Sequence, residues 1–356
     1  MLKRVSIQNF KSLKDVTLDL QKVNLLIGPN NSGKTNFLKA LEFVQDDEIK
    51  IVEKSKRLIF DRNSQQHILI KLILNNDGKT FNNEQIMEEV FEVDTSSFNN
   101  FRKHYYHISQ NERRFDPFGS FESNKSIRMG QYIVYKPDSN LITKPANLSE
   151  VDNLNADCSN LVPYIFNLSQ NYKSSFIQLE SDLERCVGDL ISVSTPAVST
   201  IDGNQLRLKF FDNKGIDFWA DEVSEGVLYF LALLCIINQP NPPKLLLLEE
   251  PEKGIHPRRI REVMDFIFRL AEEKDVQIIL TSHNEHVLDD FSTRPESVFV
   301  FDKDEEGATY VRNLQTDIIE PTNQRNRELG LDEIDLTTNL SENWLYGLLG
   351  GIPAIP

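Results

Sequence analysis

Four residues near the N-terminus of this sequence have the types and spacing needed to bind a phosphate chain. Gly28, Gly33, Lys34 and Thr35 satisfy the pattern G-x-x-x-x-G-K-[ST] within LLIGPNNSGKTNFLKAL. In such a loop the glycines let backbone N–H groups approach the anion, the ammonium reaches the terminal phosphates, and the threonine hydroxyl holds Mg²⁺. We therefore predict a nucleotide-binding loop. Its further predicted nucleotide contacts are Asn30, Asn31 and Ser32.

The segments on either side of the loop have the composition of a strand and a helix. The run KVNLLIG is short and apolar, which is typical of a buried strand. The segment TNFLKALEFV places Phe37, Leu38, Leu41 and Val44 on one helical face. In this order the loop N–H groups and the positive end of the helix converge on one anion. The context favours a phosphate site over a chance turn.

Two adjacent carboxylates, Glu249 and Glu250, follow the apolar run LLLL. In a phosphate-loop enzyme, one carboxylate at a strand end anchors Mg²⁺ through its water, and the next orients the attacking water. We assign the metal role to Glu249 and the catalytic role to Glu250. The alternative is a solvated strand end, where carboxylates are common.

A histidine, His283, ends a third apolar run, VQIILTSH. If this strand lies beside the carboxylate strand, His283 is placed to act as a catalytic sensor of the terminal phosphate. The alternative is a capping or packing histidine. His286 follows at a helical spacing, but a metal site is the weaker hypothesis because no third or fourth ligand is near.

The composition limits the classes of protein to which the chain can belong. The 356 residues are 40% hydrophobic and 26% charged, enough for a large core and a second module, and the formal charge is −15. An acidic chain disfavours indiscriminate nucleic-acid binding, although a local basic patch can still act. No apolar run has the length of a membrane span and the N-terminus lacks a signal peptide, so we expect a cytoplasmic protein. Cys158, Cys186 and Cys235 are widely spaced and fit reduced thiols.

Five ordered motifs resemble those of the ABC-type ATPase heads of the SMC, RecF and OLD-like (overcoming lysogenization defect) families. GPNNSGKT matches Walker A, LLLLEEPE matches Walker B, KGIHP matches the D-loop and TSH matches the switch histidine. VSEGVLYFLALL is similar to the signature segment, with Ser224 and Gly226 at the positions of the Ser and second Gly of LSGGQ. QNFKSL resembles the N-F-[KR]-S opening. Glu249 stands where most ABC heads have Asp, an exchange familiar in the OLD-like branch.

The resemblance implies ATP and Mg²⁺ as ligands, ATP hydrolysis, and a homodimer or higher homo-oligomer. Ser224 begins a strongly apolar helix, so its hydroxyl and the helix N-terminus form a second anion site. In the heads that this chain resembles, that site contacts the nucleotide of the other subunit.

The predicted fold class is α/β, an ABC-type P-loop ATPase head with a mixed sheet and an antiparallel flanking layer. The head is split between residues 1–75 and 205–315, and a mostly helical insertion spans 76–204. This insertion lacks the sustained heptads of an SMC coiled-coil arm. We expect residues 316–356 to be a tail that is too short for a TOPRIM nuclease. The tail either contacts a partner or docks on its own head.

One segment of the predicted insertion is a candidate nucleic-acid surface. FNNFRKHYYHISQNERRF interleaves aromatic and basic residues, as nucleic-acid grooves do. The alternative is a small core with solvated charges. The residues concerned are Phe98, Phe101, Arg102, Lys103, Tyr105, Tyr106, Arg113 and Arg114.

The predicted function is a nucleotide-dependent, dimerising regulatory or motor ATPase of a nucleic-acid-directed system. The OLD-like branch suggests bacterial anti-phage defence with a separate effector protein. The alternatives are a DNA repair or recombination ATPase of RecF type, and an ATP-bound scaffold with negligible turnover that sequesters an effector. The N-F-K-S opening and the EEPE variant disfavour the ATPase subunit of a membrane transporter.

Overall fold

A computed structural model describes most of the chain. The described residues are 1–44, 67–76, 85–94, 100–109, 112–116, 133–188, 190–200, 203–239, 243–253 and 257–351. The chain divides into two units, and the first comprises Met1–Tyr132, Lys244–Leu247 and Asp275–Pro356. The second comprises Ile133–Pro243 and Leu248–Lys274. The division into a split head and an insertion stays a prediction.

The elements are numbered in chain order. The strands are β1 (Leu2–Phe10), β2 (Leu13–Asp19), β3 (Val23–Ile27), β4 (His67–Asn76), β5 (Gln85–Asp94), β6 (Asn100–Ser109), β7 (Glu112–Asp116), β8 (Val134–Tyr135), β9 (Leu190–Ser194), β10 (Ala197–Thr200), β11 (Gly203–Leu206), β12 (Lys209–Asp212), β13 (Asp217–Trp219), β14 (Leu245–Glu249), β15 (Gln277–Ser282), β16 (Val298–Lys303) and β17 (Thr309–Asn313). The helices are α1 (Lys34–Phe43), α2 (Ser139–Ile142), α3 (Leu161–Asn171), α4 (Lys173–Val187), α5 (Glu225–Ile237), α6 (Pro257–Glu273), α7 (Glu285–Asp289), α8 (Glu320–Glu328) and α9 (Leu340–Leu345).

An antiparallel sheet in the first unit has the order β2-β1-β4-β5-β6-β7. The N-terminal strands β1 and β2 pair antiparallel, with Val5 opposite Leu18, and both side chains are buried. Strand β4 continues the sheet on the other side of β1, with Ile7 opposite Ile70. Alternation of buried and exposed residues along β1 and β2 explains why these segments form strands with one covered face.

Part of the segment predicted as a mostly helical insertion is instead β-structure. Strands β5, β6 and β7 extend the N-terminal sheet, and β5 pairs with β4 along its whole length. Val90, Phe91 and Val93 are buried there, which gives a polar sequence enough apolar contact to form a strand. Helices of the predicted insertion do occur, within residues 139–187.

A mixed sheet in the first unit runs in the order β17-β16-β3-β15-β14. Strands β15 and β16 both pair in parallel with β3, and β17 pairs antiparallel with β16. Every residue of β3 and β15 is buried, which confirms both predicted buried strands. Because Ile27 lies opposite Ser282, the residues that follow, Gly28 and His283, leave the same edge of the sheet.

Helix α1 covers this sheet with the face predicted from the sequence. Phe37, Leu38 and Leu41 are fully buried. The ring of Phe37 meets that of Phe301 on β16 edge to face, with 6.1 Å between the centroids. Burial of one such aromatic side chain contributes about 2 kcal/mol to stability. The helix therefore fixes the position of the loop that precedes it.

The second unit contains the β12–β13 hairpin and the predicted apolar helix. At the hairpin turn between β12 and β13, Asp212 Oδ1 accepts hydrogen bonds from the backbone N–H groups of Lys214 and Ile216. Helix α5 is buried along nearly its whole length. Neither α5 nor any other helix in the described ranges is long and apolar enough to cross a membrane. Burial raises the pKa of the Cys158 thiol to about 12 and that of Cys235 well above its usual value, so both are poor nucleophiles.

The C-terminal segment docks on the first unit, as one of the two alternatives predicted. Helix α9 packs against α7, and the side chain of Trp344 is buried. Arg312 Nη2 donates to the Leu349 carbonyl at 3.1 Å, and the Gly351 N–H donates to Asp302 Oδ2 at 3.2 Å.

A buried glutamine, Gln277, joins the two sheets of the first unit. Its Nε2 group donates to the carbonyls of Leu2 (2.8 Å) and Gln21 (2.9 Å), and its Oε1 accepts from the Leu2 N–H (2.8 Å). The first residue of β15 is thereby hydrogen-bonded to the start of β1 and to the segment that connects β2 with β3.

Replacing Gln277 with Leu should lower the free energy of unfolding by about 3 kcal/mol, because three buried backbone groups lose their partner. Urea unfolding monitored by circular dichroism measures this. The matched control is Gln8→Leu, which removes an exposed hydrogen bond to Asp15 and should cost less than about 0.5 kcal/mol. An equal loss in both variants would contradict the bridging role of Gln277.

Candidate nucleotide site

The glycine loop surrounds the ammonium of Lys34. Lys34 Nζ donates to the carbonyls of Gly28 at 2.7 Å and Pro29 at 2.8 Å, and lies 3.5 Å from Ser32 Oγ. The residue is only 6% exposed. A positive charge is thus held inside the loop, at the N-terminus of α1. Both features attract an anion to the same place.

The other predicted loop residues share this turn. Asn30 and Asn31 are exposed, Ser32 is buried, and Thr35 is half-buried in the first turn of α1. Gly33 precedes the helix with φ +110°, a left-handed conformation that favours glycine. The structure therefore brings together every residue predicted for the phosphate loop, and their roles at a nucleotide stay predictions.

The histidine predicted as a phosphate sensor is exposed. His283 directly follows β15 at the sheet edge where the loop begins. Capping of α7 falls to Asn284, which accepts from the His286 N–H at 3.0 Å, while Ser282 Oγ accepts from the Asn284 N–H at 2.9 Å. The capping that was the alternative prediction for His283 is therefore performed by its neighbours, Ser282 and Asn284. Within the described residues, no group of three His, Cys, Asp or Glu side chains is arranged to hold a metal ion, so a His283–His286 metal site gains no support.

The carboxylate pair lies at the end of β14, in the second unit: Glu249 is the last residue of the strand and Glu250 follows it. Glu249 Oε2 lies 3.3 Å from Lys136 Nζ, and the side chains are 15% and 49% exposed respectively. Glu250 has φ +52°, a left-handed conformation that costs a non-glycine residue about 1 kcal/mol. The Glu250 carbonyl accepts from the Lys253 N–H at 3.0 Å and so closes a turn. Glu249 is thus half-buried and paired, unlike the solvated carboxylate of the alternative hypothesis.

A cavity of about 480 Å³ in the second unit adjoins both carboxylates. Its lining includes Lys136 and Lys253, together with Glu225 from the first turn of α5. This volume is within the range of small-molecule sites. The start of the predicted signature helix and the carboxylate pair therefore border one space within a single chain.

The predicted signature serine, Ser224, is the N-cap of α5. Its Oγ accepts from the Val227 N–H at 3.4 Å, and the residue is exposed, whereas Gly226 is buried. The predicted helix start is confirmed. Contact of Ser224 and Gly226 with a nucleotide stays a prediction. Of the predicted D-loop KGIHP, residues 254–256 lie outside the described residues.

The two predicted ligands of Mg²⁺ are oxygen donors of the kind that this ion prefers. Thr35 belongs to the first unit and Glu249 to the second. Glu249 is paired with the Lys136 ammonium, so a bound Mg²⁺ would compete with that cation for the carboxylate. The chemistry of these donors fits Mg²⁺.

The basic strand β6 lies beside an acidic one. Arg102 and Lys103 are exposed, but Lys103 Nζ lies 3.9 Å from Glu89 Oε2 on β5 and 4.6 Å from the ring centroid of Phe91. Strand β5 also carries other carboxylates, which reduce the positive potential that a nucleic acid would meet. DNA binding stays a prediction. Phe98 and the side chains of Phe101, Tyr105, Tyr106, Arg113 and Arg114 lie outside the described part of the chain.

Sequence analysis missed three polar residues that contact predicted site residues or their neighbours. In the second unit Lys136 pairs with Glu249. In the first unit Thr309 Oγ1 donates to the Ser32 carbonyl of the phosphate loop, and Ser12 Oγ is hydrogen-bonded to Thr309 and to Asn36 on α1. Ser12 lies within the N-F-K-S opening, which was the one available signal. Lys136 and Thr309 belong to no recognisable motif.

The chain is similar to known proteins in sequence and in fold. The profile of the family described as "AAA domain, putative AbiEii toxin, Type IV TA system" matches residues 23–289. The ATP/GTP phosphatase of Helicobacter pylori is 23% identical over 333 residues, covering 81% of this chain and 87% of that protein. The OLD nuclease of Thermus scotoductus is 43% identical over 47 residues, covering 13% of this chain and 9% of the nuclease.

A solved structure of an Smc head bound to the C-winged helix domain of ScpA has a similar fold. Its TM-score is 0.59 at 15% identity, and the match covers 89% of this chain and 98% of that chain. At this identity the likeness shows the fold alone. It confirms the predicted α/β fold of an ABC-type P-loop ATPase head.

Replacing Lys136 with Met should lower the Mg²⁺ concentration for half-maximal ATP hydrolysis about two- to fivefold, because a partly exposed ammonium no longer competes for Glu249. Steady-state hydrolysis across a Mg²⁺ titration measures this. Lys144→Met, at an exposed lysine of the same unit, is the matched control and should change nothing. A higher Mg²⁺ requirement in Lys136→Met would mean that Lys136 holds Glu249 in place instead of competing for it.

Proposed function

Because this chain belongs to the family described as "AAA domain, putative AbiEii toxin, Type IV TA system" and is an ABC-type P-loop ATPase, we propose that the loop from Gly28 to Thr35 is its ATP site. The observation that carries the proposal is the ammonium of Lys34, held by loop carbonyls at the N-terminus of α1. A phosphate chain in this loop would meet the ammonium, backbone N–H groups and the helix dipole together.

Each further residue has a proposed part in hydrolysis. Glu250 orients the attacking water and accepts its proton, and His283 contacts the terminal phosphate. Thr35 and Glu249 would hold Mg²⁺, which would supply positive charge to the phosphate chain. Lys34 neutralises the negative charge that develops as the bond between the γ-phosphorus and the oxygen of the β-phosphate breaks.

We further propose that ATP drives two copies of the chain together. The loop covers one side of a nucleotide, and the N-terminus of α5 with Ser224 provides a second group of anion-binding donors. Ser224 is exposed at that helix start, as contact with the nucleotide of a partner subunit requires. Dimerisation would then complete the site, and hydrolysis would release the dimer.

The proposed biological role is control of a separate effector in bacterial anti-phage defence. The family description names a toxin and a type IV toxin–antitoxin system, and one relative is an OLD nuclease. A RecF-type repair ATPase is the second candidate, and an ATP-bound scaffold is the third. ATP turnover with and without DNA tests the second and third candidates, because a repair ATPase should be stimulated by DNA and a scaffold should show negligible turnover in both.

Replacing Lys34 with Ala should raise the dissociation constant of Mg·ATP about a hundredfold, since charged hydrogen bonds to the phosphates are lost. Isothermal titration calorimetry measures this. Lys39→Ala is the matched control, because Lys39 is an exposed lysine on the same helix. Unchanged affinity in Lys34→Ala, or an equal loss in Lys39→Ala, would remove the proposed site.

Replacing Glu250 with Gln should preserve ATP binding, lower turnover at least about a hundredfold and trap an ATP-dependent dimer. Adding Ser224→Asp should leave ATP binding intact but prevent the dimer, because a carboxylate caps the helix yet repels the partner's nucleotide. Sedimentation velocity distinguishes the species.

The control for the second change is Ser224→Asn in the Glu250→Gln background. Asparagine caps helices as well as serine does and carries no charge, so the dimer should persist. A dimer that forms equally well with Asp at this position would rule out a nucleotide contact at Ser224.

A further inference from the structure

Two hydroxyl groups from distant parts of the chain meet at the phosphate loop. Thr309, the first residue of β17, is 3% exposed, and its Oγ1 lies 2.8 Å from the Ser32 carbonyl oxygen and 2.7 Å from Ser12 Oγ. Ser12 lies between β1 and β2 and also accepts from Asn36 Nδ2 on α1 at 2.9 Å. Three segments are therefore hydrogen-bonded around one side of the loop.

The chemistry of these groups gives the hydrogen bonds one direction. The Ser32 carbonyl can only accept, so the Thr309 hydroxyl donates its single proton to it. The Ser12 hydroxyl must then donate to Thr309 Oγ1, while Ser12 Oγ accepts from the Asn36 amide. Each group in the series therefore donates to the next: the Asn36 amide to Ser12, the Ser12 hydroxyl to Thr309, and the Thr309 hydroxyl to the Ser32 carbonyl. Hydrogen bonds in such a chain polarise one another.

The backbone holds both hydroxyls in place. The Thr309 N–H donates to the Ser12 carbonyl at 2.7 Å, which fixes the two residues relative to each other. A Cβ atom on Gly33 would lie 2.2 Å from Thr309 Oγ1. Glycine at this position is thus required by the Thr309 hydroxyl as well as by the backbone angle.

We propose that Ser12 and Thr309 are positioning residues that aim the Gly33 N–H at the phosphate chain. The Ser32 carbonyl and the Gly33 N–H belong to one planar trans peptide unit, so they point in opposite directions. Because Thr309 holds the carbonyl, the N–H is fixed on the opposite side of the peptide, away from Thr309, where a phosphate bound in the loop would accept from it. The inference rests on the proposed ATP site at this loop.

The test replaces Thr309 with Val, which keeps the shape and removes the hydroxyl. The dissociation constant of Mg·ATP should rise about tenfold, because a buried carbonyl loses its donor and the peptide can rotate. Hydrogen exchange at the Gly33 amide, without nucleotide, should accelerate by a similar factor. Thr309→Ser restores the hydroxyl and should keep both values within about twofold of the wild type.

The first unit supplies a matched control. Thr17 Oγ1 and Ser6 Oγ form another hydroxyl pair, 2.9 Å apart, on β2 and β1, and this pair is exposed. Thr17→Val removes a hydrogen bond of the same kind and should change neither ATP affinity nor Gly33 exchange. Should Thr309→Val fail to fold, Ser12→Ala removes the preceding donor and should weaken ATP binding about threefold.

Unchanged affinity and exchange in Thr309→Val would overturn the inference, as would an equal effect of Thr17→Val. If the wild-type protein does not bind Mg·ATP, the proposed function fails. Exchange at the Gly33 amide then decides the positioning role separately: acceleration in Thr309→Val supports it and no change overturns it.

Discussion

The buried ammonium of Lys34 is the interaction on which the arrangement of the phosphate loop depends. A charge that is 6% exposed is costly unless it is paired or hydrogen-bonded, and here the carbonyls of Gly28 and Pro29 supply partners. Those carbonyls can turn inward only because the chain reverses tightly after β3. The parallel pairing of β3 with β15 and β16, and the packing of α1 on the sheet, hold the ends of that reversal.

The charged side chains to which we assign roles in ATP binding and hydrolysis already have partners within the protein. Lys34 is held by loop carbonyls, and Glu249 is paired with Lys136. When nucleotide and Mg²⁺ bind, these two side chains would therefore exchange their present partners for the ligands. Such an exchange limits the net gain in free energy, because each new contact replaces an existing one.

The sequence predicted what depends on local patterns. The glycine loop, the apolar face of α1 with Phe37, Leu38 and Leu41, and the buried strands each have a periodicity or motif within one segment. It did not predict contacts between segments that share no pattern. Strand β5 is polar in sequence and forms because β4 offers a sheet edge. The contacts of Lys136 and Thr309 join segments with no shared pattern.

The most direct test of the account is an amide chemical-shift map of the wild-type protein titrated with a non-hydrolysable Mg·ATP analogue. Two-dimensional nitrogen–proton spectra report each assigned backbone N–H separately. The account predicts that the largest shifts fall on Gly33, Lys34 and Thr35, the residues at the start of α1. Saturable shifts confined to other segments, with these three amides unchanged, would contradict it.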